Sequence, residues 1–224
     1  MTAPDITSQL IGRERRPLAL IDDFAPNPGQ LRKAAMASVF GPAANHYPGI
    51  RAPLPPNYFP TQMSIIATVL RDHFGEARTA CLIDASFSMV TTPVDTLSVA
   101  QRLPHADAFD PNRIALVHYL SLEDDGGTAF YRHRSTGFET INAARAPIYF
   151  GQVDAELRRA LPPPGYIDDD TSLFERIEQV EARYNRALIY RSMNLHSGAI
   201  APGAALSPDP AVGRLTVTAF FELQ

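Results

Sequence analysis

Twenty prolines against thirteen glycines in a chain of 224 residues constrain this fold more than any other feature of the sequence. Proline has no N–H to give to a sheet ladder or a helix interior, so regular elements must lie between the proline clusters. Those clusters fall at Pro26–Pro28, Pro42–Pro60, Pro162–Pro164 and Pro202–Pro210, which predicts short elements joined by long ordered loops. Leu18–Ile21 reads as a short buried strand. Two helices follow by apolar spacing, one over Pro28–Val39 with proline at its start and one carrying Met63, Ile66, Leu70 and Phe74, closed by Gly75. Between them, Tyr47–Pro60 is expected to be irregular. Leu82–Val90, Leu97–Leu103, Ile114–Leu120, Thr128–Tyr131, Ala187–Arg191 and Leu215–Leu223 are rich in β-branched and aromatic residues and read as strands. Asp124–Gly127 reads as a turn between two of them. A helical insertion is expected at Val153–Leu161 and Leu173–Val180, with Asp168, Asp169 and Asp170 as the acidic start of its second helix. Helices first and strands after favour an α+β, mainly β chain: an antiparallel barrel or sandwich with an N-terminal helical layer.

Composition narrows the function classes. The 20 basic and 24 acidic residues leave a net charge of −4 with no basic block, which argues against a nucleic-acid surface. A single cysteine, Cys81, excludes an internal disulfide framework and a cysteine-built zinc cage. Apolar runs such as Ile114–Val117 are far shorter than a membrane span, which needs about 20 residues. Met1–Gln9 lacks the pattern of a signal peptide, so the expected location is cytoplasmic. The whole of 1–224 reads as one domain. Residues 1–96 supply helical support and first strands, and 97–224 a β core interrupted around 139–183.

Six histidines are present. The sharpest pattern is His105-Ala106-Asp107, because in extended chain residues i and i+2 project to one face and can meet one ion. With 6 His and 15 Asp in 224 residues, chance alone supplies roughly 0.4 such pairs, so the motif needs partners. His196, just after the strand Ala187–Arg191, offers a second imidazole. Two histidines and one carboxylate make a facial triad suited to non-haem Fe(II) and dioxygen chemistry. Further on, Arg214, Thr216, Thr218 and Phe220 share one face of a strand. A guanidinium and a hydroxyl together suit the far carboxylate of a dicarboxylate ligand.

Leu103-Pro104-His105-Ala106-Asp107, the strand Arg113–Ser121, the hairpin residues Gly126–Phe130, Leu195–Gly198 and Arg214–Thr216 together resemble the Fe(II)/2-oxoglutarate oxygenases. Within them they are most similar to the prolyl-4-hydroxylase-like branch. The resemblance covers roughly 97–224. It implies a double-stranded β-helix (jelly-roll, cupin-like) core, iron on His105, Asp107 and His196, and 2-oxoglutarate held by Arg214. It also implicates His118, as a residue facing the barrel interior toward that carboxylate, and Thr216 beside Arg214. The implied substrate is a small molecule or a peptide. The interval from His196 to Arg214 and the 139–183 insertion are longer than the pattern. Blander readings stand beside these: Arg214 as a strand-end charge, Thr216 as a β-former, His118 as a hydrogen-bonded core residue. A cupin-type metalloenzyme without 2-oxoglutarate and a non-catalytic binding module also fit the same barrel.

Overall fold

A computed structural model describes residues 4–224 except 44–46, 123–125, 202 and 205. His46 and the acidic half of the expected turn at Asp124–Gly127 therefore lie outside the described residues. In chain order the elements are β1 (Asp5–Ile11), β2 (Arg16–Asp22), α1 (Pro28–Met36), β3 (Gly41–Pro42), β4 (Gly49–Ala52), α2 (Tyr58–Phe74), β5 (Ala80–Val90), β6 (Arg113–Tyr119), β7 (Gly127–His133), α3 (Ala146–Leu157), β8 (Phe174–Glu181), β9 (Ala187–Arg191), β10 (His196–Ala199) and β11 (Leu215–Leu223). None of the helices is long and apolar enough to cross a membrane.

The strands form two antiparallel ladders. The large one runs β1-β2-β9-β6-β11-β5-β4-β3 and the small one β10-β7-β8. Among the described residues the two ladders stay separate and do not close into the expected barrel. From β5 onward the chain passes repeatedly between them: β5 and β6 are in the large sheet, β7 and β8 in the small, β9 in the large, β10 in the small and β11 in the large.

Side-chain alternation on the large sheet makes two cores. Ile114, Leu116, Leu215, Val217, Ala219 and Phe221 pack outward with Leu31, Ala35, Ile66, Val69 and Leu70 of α1 and α2. This is the N-terminal helical layer that the sequence predicts. Residues of opposite parity, Ala115, Tyr119, Leu188 and Tyr190, pack inward against Phe130 and Val180 of the small sheet. Period-2 alternation thus settles which residues can line the space between the sheets. Gly75 ends α2 in the left-handed region at φ 68°, the conformation that lets a glycine close a helix.

Several expectations are corrected. Residues 5–11, to which the sequence reading assigns no element, pair with β2 in full register as an edge strand exposed over most of its length. Leu97–Leu103 holds a short 3-10 turn at Val99–Arg102 instead of a strand, just after another at Val94–Thr96. The irregular loop contains β4, which pairs with β5. Leu173–Val180 is strand β8, not a helix. There Phe174 packs with Tyr131 in one cluster and Val180 with Phe130 in another. A register shift separates the two, between Phe130 and Tyr131, and it gives β8 an apolar spacing that imitates a helix. The acidic run 168–170 accordingly begins no helix. Asp170 accepts hydrogen bonds from the Arg176 amide at 2.7 Å and the Arg134 guanidinium at 2.8 Å, turning the chain into β8.

Candidate metal centre

His105 and His196 are brought together by backbone alone. Each accepts the other's amide at 2.9 Å, an isolated antiparallel bridge that lays the His105 segment beside β10 as a fourth partner of the small sheet. Directly opposed residues of an antiparallel pair project to the same side, and the two ring centroids are 4.5 Å apart. Asp107 follows two residues on, its amide donating to the Ser192 carbonyl at 2.8 Å. Its carboxylate then stands between the rings, Oδ1 at 3.5 Å from His105 Nε2 and Oδ2 at 3.4 Å from His196 Nε2. One ligand atom from each of the three lies within 4.8 Å of the others.

Exposure grades across the cluster. The His196 side chain is 7% exposed, Asp107 17% and His105 57%, so the centre has a closed side and an open one. The closed side is aromatic, with Tyr190 at 4.8 Å and Phe130 at 6.2 Å from the His196 ring. His196 Nδ1–H donates to the Asn194 carbonyl at 2.9 Å, which fixes the tautomer and leaves the Nε2 lone pair toward Asp107. Burial pushes the His196 imidazole down to about 4, with His105 adding to the fall and Asp107 opposing it. Burial alone would raise Asp107, but His196, His105 and Arg51 together hold its carboxyl below the usual value. Near neutral pH His196 therefore offers a neutral imidazole nitrogen and Asp107 a carboxylate, the protonation states that metal binding needs.

Arg214 and Thr216 lie across the gap at the head of β11. Both are buried. Arg214 Nη2 donates to the Gly127 carbonyl at 2.5 Å, and Thr216 Oγ1 donates to the Ser88 carbonyl at 3.1 Å. Thr216 pairs with Tyr119 on one side and Ser88 on the other, so all three face the space between the sheets. His118 does not. One residue from Tyr119, it points to the helical layer, which corrects the expectation that it faces the interior. The Tyr58 hydroxyl donates to its Nδ1 at 2.8 Å, and its Nε2–H donates to Asn185 Oδ1 at 3.0 Å. Asn185 is itself oriented by the Ala25 amide and carbonyl at 3.0 Å each. Burial lowers His118 to about 4, as befits a neutral core imidazole.

Residues that sequence reasoning passed over complete the wall. Ser88 Oγ is 2.7 Å from Thr218 Oγ1, and Tyr119 shares a 2.7 Å hydroxyl bond with Thr128. Burial raises the Tyr47 phenol, with Arg214, Arg51, Thr216 and Ser88 pulling it back down. Arg51, in β4, pairs with Ser88. The alternation of β5 could have revealed Ser88. Tyr47 and Arg51 sit in a proline-rich stretch with no periodic signal.

The fold and site define a two-sheet antiparallel β protein with a two-histidine, one-carboxylate cluster at the rim between its sheets. The chain belongs to the family described as "Family of unknown function (DUF6445)", whose model matches residues 2–221. None of the curated proteins matches the sequence. Among solved structures, it is similar to an N-substituted L-amino acid dioxygenase from Burkholderia ambifaria, at 11% identity and a TM-score of 0.48, covering 100% of this chain and 99% of that one. It is also similar to a 2OG-Fe(II) oxygenase family oxidoreductase from Burkholderia pseudomallei, at 10% identity and a TM-score of 0.35, covering 98% of this chain and 73% of that one. Likenesses this distant carry no functional meaning by themselves.

Proposed function

We propose that the protein is an Fe(II)- and 2-oxoglutarate-dependent oxygenase that hydroxylates a C–H bond, on a double-stranded β-helix core. The carrying observation is the cluster of His105, Asp107 and His196 with one open side. Its donor set fits a divalent ion. Two ligand atoms about 2.1 Å from one ion at right angles are about 3 Å apart, and the carboxylate oxygens stand 3.4 and 3.5 Å from the imidazole nitrogens. A facial set of two imidazoles and one carboxylate is the arrangement that suits Fe(II) and leaves coordination positions free.

In this reading iron, 2-oxoglutarate and dioxygen supply the oxidising power: the co-substrate leaves as succinate and CO2, and one oxygen atom enters the substrate C–H bond. The chain's own residues do the rest. His105, Asp107 and His196 hold one face of the metal. Asn194 locks the His196 tautomer. Arg214, with Thr216 beside it, receives the far carboxylate of 2-oxoglutarate. Tyr190 and Phe130 close the inner side against water, which strengthens every charge interaction within.

Titration with Mn(II), a redox-quiet substitute for Fe(II), is expected to give one site per chain, lost in His105→Ala and in His196→Ala. Succinate release from 2-oxoglutarate should require Fe(II). Metal binding without any 2-oxoglutarate binding would favour the cupin-type reading instead.

A further inference from the structure

A second arginine, Arg51, faces the same space. Arg51 Nε is buried and has no hydrogen-bond partner, and the side chain makes no hydrogen bond or ion pair among the described residues. The guanidinium carbon lies 4.7 Å from the Tyr47 ring centroid. A buried donor left unpaired is costly, and more so when it belongs to a charged group, so the Arg51 Nε–H marks a place for a guest.

Its direction follows from register. Arg51 pairs with Ser88, Ser88 with Thr216, and Thr216 with Tyr119. Directly paired residues share a face, so Arg51 stands in one row with the inward-facing residues of β5, β11 and β6. Tyr47 divides the two arginines. Arg51 lies on its ring face, while Arg214, Thr216 and Ser88 all act to lower its phenol against the rise that burial brings. Arg51 is also among the charges that stabilise the Asp107 carboxylate, which puts it within electrostatic reach of the metal ligands.

We infer that Arg51 receives a carboxylate of the substrate itself, so that the protein acts on a carboxylic acid anchored beside the metal. This rests on the oxygenase reading above, which assigns Arg214 to the co-substrate. One guanidinium edge matches the two oxygens of a carboxylate. Planar stacking on Tyr47 holds the fork in place before the guest arrives.

The test reads the Arg51 Nε–H resonance of the full-length, Zn(II)-loaded protein by proton–nitrogen NMR, assigned by its loss in Arg51→Lys and in Arg51→Gln. Sodium propionate is the probe and propionamide its neutral counterpart. With 2-oxoglutarate already saturating, propionate should shift the resonance saturably at millimolar concentration, and propionamide should leave it in place. No shift, or an equal shift with propionamide, overturns the inference. So does a shift produced by 2-oxoglutarate alone that abolishes the response to propionate, because Arg51 would then serve the co-substrate. Failure of the oxygenase reading is a separate result: no 2-oxoglutarate binding by calorimetry, whatever propionate does.

Discussion

Two residues one position apart, His118 and Tyr119, show how a single step along a strand separates structure from chemistry. His118 stays neutral in the folded core at about 4 against an ordinary 6.5. The unfolded chain therefore binds its proton first as pH falls. His118 contributes its full stability above about 6.5, loses it as pH drops toward 4, and changes nothing further below that. Between pH 7 and pH 5 this amounts to about 2 kcal/mol. Urea unfolding of the metal-free protein should show wild type losing about that much more than His118→Leu over the same interval; parallel losses would mean that His118 is solvated. Asp107 makes the opposite case. Among the described residues its carboxylate is hydrogen-bonded to no backbone group, and its side chain is 17% exposed, so Asp107→Asn should leave metal-free stability within about 1 kcal/mol. Mn(II) affinity should fall at least as far as the 10–100-fold typical of losing a mere outer partner. A sharp loss of metal-free melting temperature with Mn(II) affinity intact would make Asp107 a structural residue.

At the scale of elements, the glycine pair opening β7 shows what local crowding demands. A Cβ at Gly127 would collide with the Val180 carbonyl, and one at Gly126 with the Ala199 carbonyl, because β8 and β10 close in on either side. Gly29, in α1, meets nothing. Gly127→Ala should therefore cost about 1–3 kcal/mol, while Gly29→Ala should be neutral or gain up to about 1 kcal/mol. Equal melting temperatures for the two variants would show that the small sheet tolerates a wider spacing. The same local logic explains what the sequence made legible. Strands β6, β9 and β11 announce themselves through largely buried β-branched and aromatic runs, and β5 through its buried second half, Phe87 to Val90. His105, Asp107 and His196 were readable because an i, i+2 pair and a strand-end histidine are local patterns. β1 was not, because an edge strand with polar Thr7, Ser8 and Gln9 carries no core signature. β8 was misread because its register shift disguises a strand's period. Arg51 and Tyr47 join the site only through pairing between residues far apart in sequence, which no local pattern records.

For the molecule as a whole, the site matters because it spans two sheets that share no ladder among the described residues. His105, Asp107 and His196 lie at the small sheet's rim. Arg214 heads β11 of the large sheet and already touches Gly127 of the small one. A ligand held at both ends clamps the sheets, so metal and 2-oxoglutarate should stabilise the fold in sequence. At 100 times its dissociation constant a ligand adds about 2.7 kcal/mol, and for a chain of this size each kcal/mol raises the melting temperature by about 2–4 °C. Adding 2-oxoglutarate to the Mn(II)-loaded protein at that concentration should raise it by about 5–11 °C, with little effect when metal is absent. A charge-assisted contact from Arg214 is typically worth about 1.5–3 kcal/mol. Arg214→Ala should then weaken 2-oxoglutarate roughly 10–100-fold and cut its contribution at the same concentration to about 0.4–1.4 kcal/mol. Arg214→Lys should fall between, since it keeps the charge and loses the planar fork. The Mn(II) increment should be the same in all three proteins, because Arg214 is no ligand. If Arg214→Ala keeps the whole 2-oxoglutarate increment, the far carboxylate is held elsewhere. If the increment appears equally without metal, the co-substrate does not bridge the sheets through the cluster at His105, Asp107 and His196.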